Sequence, residues 1–355
     1  MEPSIFSHDT ALHALRGTRM RRNAVPWEPL DTARQQEILS LATGARCRLD
    51  IDYLRGVGII PDPADNDNRA AEPGPIHLLT QQRVVASRRP GIITHRCDVA
   101  LPPGSLLQVD ANTFVCGPEL VFVQIAASGN AAATLKIGYE LMGLYTLRAD
   151  DQQEIVPAEQ AMTVQSLTDY LEQLPPTRGR RKATELLPLL CEQSRSPLET
   201  DTALMLYLPH IRGGFNTERP LLNYRIELTE QAQSACSRSS IECDLYFPKA
   251  RVDVECNSAY HNSEQQRRLD DERATALAAM GILVIPVSIP QIEDLDKLEA
   301  VARIITRRVG GKYRPRAKAF PVRQSMLHAE ILKDFEKPKD KQAENPQQEG
   351  SEAPS

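Results

Sequence analysis

Residues 241–257 hold two runs that alternate apolar and polar side chains, Ile241 to Phe247 and Arg251 to Asn257, with Pro248 and Lys249 between them. Period-two alternation marks a strand with one face buried, and so short a break favours an antiparallel hairpin. In the second run Val252, Val254 and Cys256 share one face, so Asp253, Glu255 and Asn257 share the other. Any short-loop register that keeps Leu245 and Phe247 on the apolar side sets Asp244 directly across from Glu255 or diagonal to it.

Carboxylates so placed repel unless a cation lies between them, and a hard divalent ion is the usual solution. Such an ion can polarise a phosphodiester and lower the pKa of a bound water. The plainer alternative pairs the acids with Lys249, Arg251 or Arg273 as solvated neighbours. Both arrangements stay open on the residues alone.

The flanking segments supply an order of elements. Ser196-Pro197-Leu198-Glu199 has capping-box spacing with Pro in the first turn, and predicts a helix to about Leu208. A strand over Leu222 to Leu228 precedes the hairpin. Ser263 caps a helix from Glu264 to about Met280, Gly281 ends it, and Ile282 to Val287 reads as a buried strand. A last helix runs from about Asp294 to Arg308. The whole is helix, three strands, helix, strand, helix.

Within that order stand Ser-x-x-Glu at Ser196 and Glu199, Cys-Asp-Leu at Cys243 to Leu245, Val-Glu-x-x-Ser at Val254 to Ser258, His261, Asp-x-x-Arg at Asp270 and Arg273, and Leu277-x-x-x-Gly281. Together they resemble the PD-(D/E)-x-K restriction-endonuclease superfamily and, more narrowly, the domain-of-unknown-function 559 family related to very-short-patch repair endonucleases. The resemblance covers roughly residues 194–309 and implies a restriction-endonuclease-like fold, an α-β-β-β-α-β core with a mixed sheet. It implies that Asp244 and Glu255 bind magnesium or manganese, with the Cys256 carbonyl as third ligand. It also implies His261 as a catalytic acid or base, Glu199 as a residue that orients water in the metal shell, and Arg273 as a phosphate contact. Structural roles compete with these: His261 as a loop residue capping the next helix, Glu199 as an ordinary capping-box acid, and Asp270 with Arg273 as an intrahelical pair.

One position departs from the pattern. The superfamily's lysine, two residues after the Glu, is here Asn257, which can ligate a metal through its amide oxygen but carries no positive charge and cannot act as a base. Two expectations follow: a magnesium-dependent DNA endonuclease, of the phage-defence or DNA-repair kind, or a nuclease fold that binds nucleic acid or acts as an antitoxin-like regulator without cutting. A protein-interaction module is the third.

At 355 residues, 41% hydrophobic and 25% charged, the chain has room for two domains. No apolar run is long enough to span a membrane and Met-Glu-Pro-Ser lacks a signal pattern, so the expected location is cytoplasmic. Seven cysteines without a Cys-x-x-Cys indicate neither a disulfide framework nor a zinc site. A net charge of −5 argues against coating nucleic acid by bulk charge. Local clusters tell otherwise: residues 303–323 carry eight basic side chains and no acid, among them Arg307, Arg308, Lys312, Arg314, Arg316 and Lys318. These are candidate phosphate contacts on a basic arm over 310–332, made flexible by Gly310, Gly311 and Pro315. Arg178 to Lys182 and Arg16 to Arg22 are further basic patches.

The N-terminal half reads as a helical segment over 1–60, a linker or exposed loop over 61–75, a small α/β domain over 76–160 and a helical connector over 161–193. Strands are expected at Ile76 to Leu79, Ile92 to His95 and Thr113 to Cys116, and helices at Pro118 to about Ala127 and Ala131 to Met142. Ser7-His8 with Ala11-Leu12, His95 after Gly-Ile-Ile, Leu101-Pro102-Pro103 and Gly117-Pro118-Glu119-Leu120 resemble the domain of abortive-infection type antitoxin proteins over roughly residues 5–150. That implies an α/β regulatory-type domain with a toxin or defence-system protein as partner. Tyr139, Glu140, Gly143 and Tyr145 read as helix packing, and 333–355 as a disordered tail.

Overall fold

The computed structural model describes residues 2–20, 27–42, 49–61, 74–82, 90–148, 154–236, 238–257, 264–315 and 318–333. His261, Ser263, Arg316, most of the 61–75 segment and almost all of the 333–355 tail lie outside them.

The protein is a mixed α/β molecule built on two mixed sheets. The first has six strands: β1 (Ser4–Phe6), β2 (Glu28–Pro29), β3 (Ile76–Thr80), β4 (Ile92–Arg96), β5 (Leu106–Gln108) and β6 (Thr113–Cys116), in the order β2-β5-β6-β1-β3-β4. β1 pairs parallel with β6 and antiparallel with β3, while β3 and β4 are parallel. The expectation of a purely helical segment over 1–60 is corrected here. Ser4-Ile5-Phe6 is too short for alternation to show, yet it is an interior strand with Ile5 and Phe6 buried.

Helix α1 (His8–Met20) follows β1 directly, and α2 (Thr32–Leu41) and α3 (Ile51–Gly56) precede β3. Helix α4 (Pro118–Ser128) is buried continuously from Leu120 to Ala126, the pattern of a helix enclosed on all sides. α5 (Ala131–Leu141) is capped by Asn130, whose side chain accepts the Ala133 N–H. The small hairpin β7 (Tyr145–Leu147) and β8 (Ile155–Pro157) leads to α6 (Val164–Gln173) and α7 (Arg180–Leu186), the expected connector.

In the basic patch over 16–22, the described Arg16 and Arg19 are engaged within the molecule. Arg16 forms a bidentate pair with the buried Glu140, and Arg19 donates to the Glu159 and Gly143 carbonyls. Burial pushes Glu140 up, but the Arg16 guanidinium and the Leu147 amide more than offset it and hold the carboxyl below its ordinary range.

The C-terminal elements are α8 (Pro197–Tyr207), β9 (Leu221–Glu227), the short α9 (Glu230–Gln233), β10 (Ser240–Phe247), β11 (Val252–Asn257), α10 (Glu264–Ala279), β12 (Leu283–Ser288), the short α11 (Ile289–Ile292), α12 (Leu295–Arg308) and α13 (Phe320–Leu332). The four strands run in the order β12-β11-β10-β9, antiparallel except for the β11–β12 pair, which α10 joins as a crossover. One apolar core runs from Ile5 to Ile331 and takes in Phe114, Phe122, Leu204 and Val254, so packing does not break between the halves. A smaller cluster, including Ile241, Cys243, Ala276 and Leu277, lies under α10.

The basic arm also differs from its expectation. Its second half is α13, with Phe320, Leu327 and Ile331 buried, because those apolar residues recur at helical spacing and find a surface near Gly213. No described helix is long and apolar enough to cross a membrane.

Candidate metal centre

The hairpin folds in one of the short-loop registers the alternation allows. Leu245 pairs with Val254, Tyr246 with Asp253 and Phe247 with Val252, and the pairing ends one residue short of Asp244 and Glu255. Asp244 Oδ2 accepts the Cys256 backbone N–H at 2.8 Å. On its other side, β9 pairs Tyr224 with Cys243 and Leu222 with Leu245, but Asn223, opposite Asp244, sits in the left-handed region with φ 47° and makes no ladder pair. Asn tolerates that conformation better than most residues.

Asn223 thereby turns its amide toward α8. Its Nδ2 donates to Glu199 Oε2 at 2.6 Å and to the Gln193 carbonyl at 2.8 Å. Glu199 also accepts the Arg195 N–H at 2.8 Å, while its own N–H donates to Ser196 Oγ at 3.2 Å, so Ser196 caps the helix as the spacing predicts, but the Glu199 carboxyl takes the N–H one residue before the one a capping box uses. Burial and then the nearby Asp244 push Glu199 up to about 7. Burial and then Glu255 push Asp244 up to about 6. The capping acid and the strand acid are thus electrostatic neighbours, and Glu199 carries more than a capping role.

Asp253 is fully buried and Glu255 half-buried. Burial, and for Glu255 its proximity to Asp253, raise both, so the pair retains a proton that an ordinary carboxyl would have lost. The cation beside them is Arg273 on α10. Its Nη2 donates to Glu255 Oε1 and to the Glu242 carbonyl, and lies 3.5 Å from Asp253 Oδ2. Burial alone would lower Arg273, but these acids keep it charged. Arg195 pairs in turn with Glu242.

Asp253 and Glu255 of β11 therefore share the Arg273 guanidinium, Asp244 of β10 lies in the field of both Glu255 and Arg273, and Glu199 approaches Asp244 from α8. The donor set, carboxylate oxygens with a peptide group beside them, suits a hard divalent ion. Asn257 is exposed at the end of β11, opposite Ser288. Arg273 reaches the acids from the helix rather than pairing only along it. Arg308 is tied down, its guanidinium donating to the Ala250 and Gly281 carbonyls, whereas Arg307, Lys312, Arg314 and Lys318 are exposed.

Sequence reasoning did not single out Asp253, although its place two residues before Glu255 puts it on the same strand face. Asn223 and Arg195 gave no such signal. Nor did a second cluster, His8, His77 and His95, whose donor atoms lie within 4.8 Å of one another and could hold a metal ion. A cavity of about 960 Å³ contains none of the four acids; it is lined by residues such as Leu12, Ile59, Ile76 and Ile137, and by Glu140, already held by Arg16. The clustered acids carry the functional reading because burial first, and neighbouring carboxyls second, raise ionisable groups that stand beside one another.

Compared with protein families, curated proteins and solved structures, the chain finds no match in any of the three.

Proposed function

We propose that the C-terminal half is a restriction-endonuclease-like domain and that the protein is a metal-dependent nuclease acting on DNA. The observation that carries this reading is the convergence of Glu199, Asp244, Asp253 and Glu255 at the irregular end of the hairpin, with their carboxyls raised above the ordinary range. Such a group favours a divalent cation, which would offset the repulsion that raises them. Asp244 and Glu255 would hold the ion, with Glu199 placed to orient water beside it, and magnesium or manganese would supply Lewis acidity toward a phosphodiester. Arg273, now on Glu255, provides positive charge where a phosphate oxygen would approach. The exposed Arg307, Lys312, Arg314 and Lys318 would contact flanking phosphates.

A second reading has its own support. Asn257 stands where the resembling superfamily has lysine, and Arg273 already partners two of the acids. In that case the fold binds nucleic acid, as an antitoxin-like regulator, without cutting it.

Incubation of supercoiled, linear and single-stranded DNA with purified protein and magnesium or manganese separates the two. Cutting that vanishes in both Asp244→Ala and Glu255→Ala supports the nuclease. Salt-sensitive DNA retention without cutting, indifferent to metal, supports the regulator, and absence of DNA binding at low salt overturns both.

A further inference from the structure

Three histidines from separate elements meet beside the N-terminal sheet. His8 opens α1, His77 lies on β3 and His95 on β4. The parallel register pairs Leu79 with His95 and His77 with Ile93, so the two strand histidines stand diagonally on one face. The His8 and His95 ring centroids are 3.6 Å apart, and those of His77 and His95 5.0 Å. His77 Nδ1 and His95 Nε2 approach to 2.8 Å.

Two further ring nitrogens lie near polar groups. His8 Nδ1 lies 3.1 Å from Ser7 Oγ, and His77 Nε2 lies 3.9 Å from Asp9 Oδ2. A hydroxyl or carboxylate behind a ligating imidazole is the usual device for fixing its ring and tautomer. His8 is in addition one of the few non-glycine residues with positive φ, 51°, and its N–H is held by Gln124 Oε1 at 2.9 Å. A residue kept in that sparsely populated region is held there by its surroundings, and such positions concentrate at functional sites.

We propose that His8, His77 and His95 form a second metal centre, a three-imidazole site for a borderline divalent transition ion such as zinc. A tetrahedral ion about 2.0–2.1 Å from each nitrogen would separate its ligands by about 3.3 Å, so the 2.8 Å pair opens by about half an ångström and the rings, now stacked with interplanar angles of 10–29°, turn out of the stack to aim their nitrogens at one ion. The all-nitrogen set selects zinc, cobalt, nickel or copper over magnesium, in contrast to the oxygen set of the carboxyl cluster. All three rings are half-buried, which leaves access for an ion. Three ligands leave a fourth position for water or an anion. This site stands whether or not the carboxyl cluster is a nuclease centre.

The test is titration of metal-free full-length protein with cobalt(II), followed by displacement with zinc, alongside His77→Gln and His95→Gln. The expected result is one equivalent of cobalt with the intense visible bands of a four-coordinate ion, no thiolate charge-transfer absorption, and affinity at least about a hundredfold weaker in either variant. Unchanged stoichiometry and affinity in folded variants would overturn the proposal. So would thiolate absorption, which would assign the ion to cysteines, or a pale six-coordinate spectrum with only millimolar affinity. Should a variant fail to fold, the spectrum of the unsubstituted protein still decides between these outcomes.

Discussion

The Asp244 carboxylate is bound to the neighbouring strand at Cys256, whose N–H it accepts at 2.8 Å, so the acid of β10 is fixed one residue from Glu255 on β11. That bond lowers Asp244, but burial and Glu255 prevail and bring it to about 6. The place of Asp244 beside Glu255 is therefore set by a backbone contact.

Its first consequence is a pH-dependent stability with a worked sign. The ordinary values are 3.8 for Asp and 4.5 for Glu, whereas Asp244 lies near 6 and Glu199 near 7 in the folded protein, and the Asp253–Glu255 pair is also raised. The folded state thus binds more protons than the unfolded chain above the ordinary values, and this contribution falls as pH rises through the folded ones. His8, His77 and His95, lowered from 6.5, act oppositely below that pH. Between pH 6.5 and 8 the acids prevail. Urea unfolding in chelator should show stability declining over that interval, and magnesium or manganese should flatten the decline. A level metal-free profile would mean the acids ionise alike in both states.

Removing the guanidinium should expose the same repulsion. Arg273 is 23% exposed at its side chain, Glu255 13% and Asp253 0%, so little solvent is at hand to replace the lost cation. Arg273→Ala should cost about 3 kcal/mol, the scale for a buried charge left without its partner. Adding Glu255→Gln should recover part of that loss. A strictly additive double mutant would show that the pair does not interact.

Part of this site was legible in the sequence and part was not. The alternation through 241–257 contained the hairpin and the nearness of Asp244 to Glu255, because a half-buried strand writes its faces into every second residue. The Ser196 cap on the Glu199 N–H was local and equally readable. The left-handed turn at Asn223 was not, since it depends on what lies across the strand from Asp244. Arg273 could be placed on a helix face, but its choice of Glu255 over a partner along α10 needed the crossover geometry. The three histidines are separated by 69 and 18 residues and only meet when β1 leads α1 into the edge of β3 and β4. β1 itself was too short to announce a strand.

Helix α13 should be docked rather than mobile. Gly213 has φ +94°, and a Cβ there would collide with the Arg323 carbonyl in the first turn of α13. Gly213→Ala combines that collision with a backbone conformation alanine resists, and should cost about 2 kcal/mol or more. Leu327→Ala should cost about 2–5 kcal/mol through the cavity it leaves. Hydrogen exchange should then quicken throughout 320–332; unchanged protection would mean that α13 holds its place without these contacts.

The basic residues beyond α12 divide into anchors and contacts, and salt dependence should tell them apart. Arg308 donates to the Ala250 carbonyl at 2.6 Å and the Gly281 carbonyl at 3.1 Å, fastening the end of α12 to the hairpin turn and to the start of β12. Arg303 lies over the Tyr313 ring, 5.2 Å from its centroid, and pairs with Glu299, so it too is engaged within the protein. Lys312, Arg314 and Lys318 are exposed on the segment between these anchors and α13. If the proposed function holds, replacing any one of the three with Ala should weaken duplex DNA binding about equally across sequences and reduce the slope of log K against log salt by about 0.9. Arg308→Ala should leave that slope nearly unchanged and lower the unfolding midpoint in urea. Slopes that fall for Arg308 and stay constant for Lys312, Arg314 and Lys318 would move the nucleic-acid surface away from this segment and onto the face of the hairpin itself.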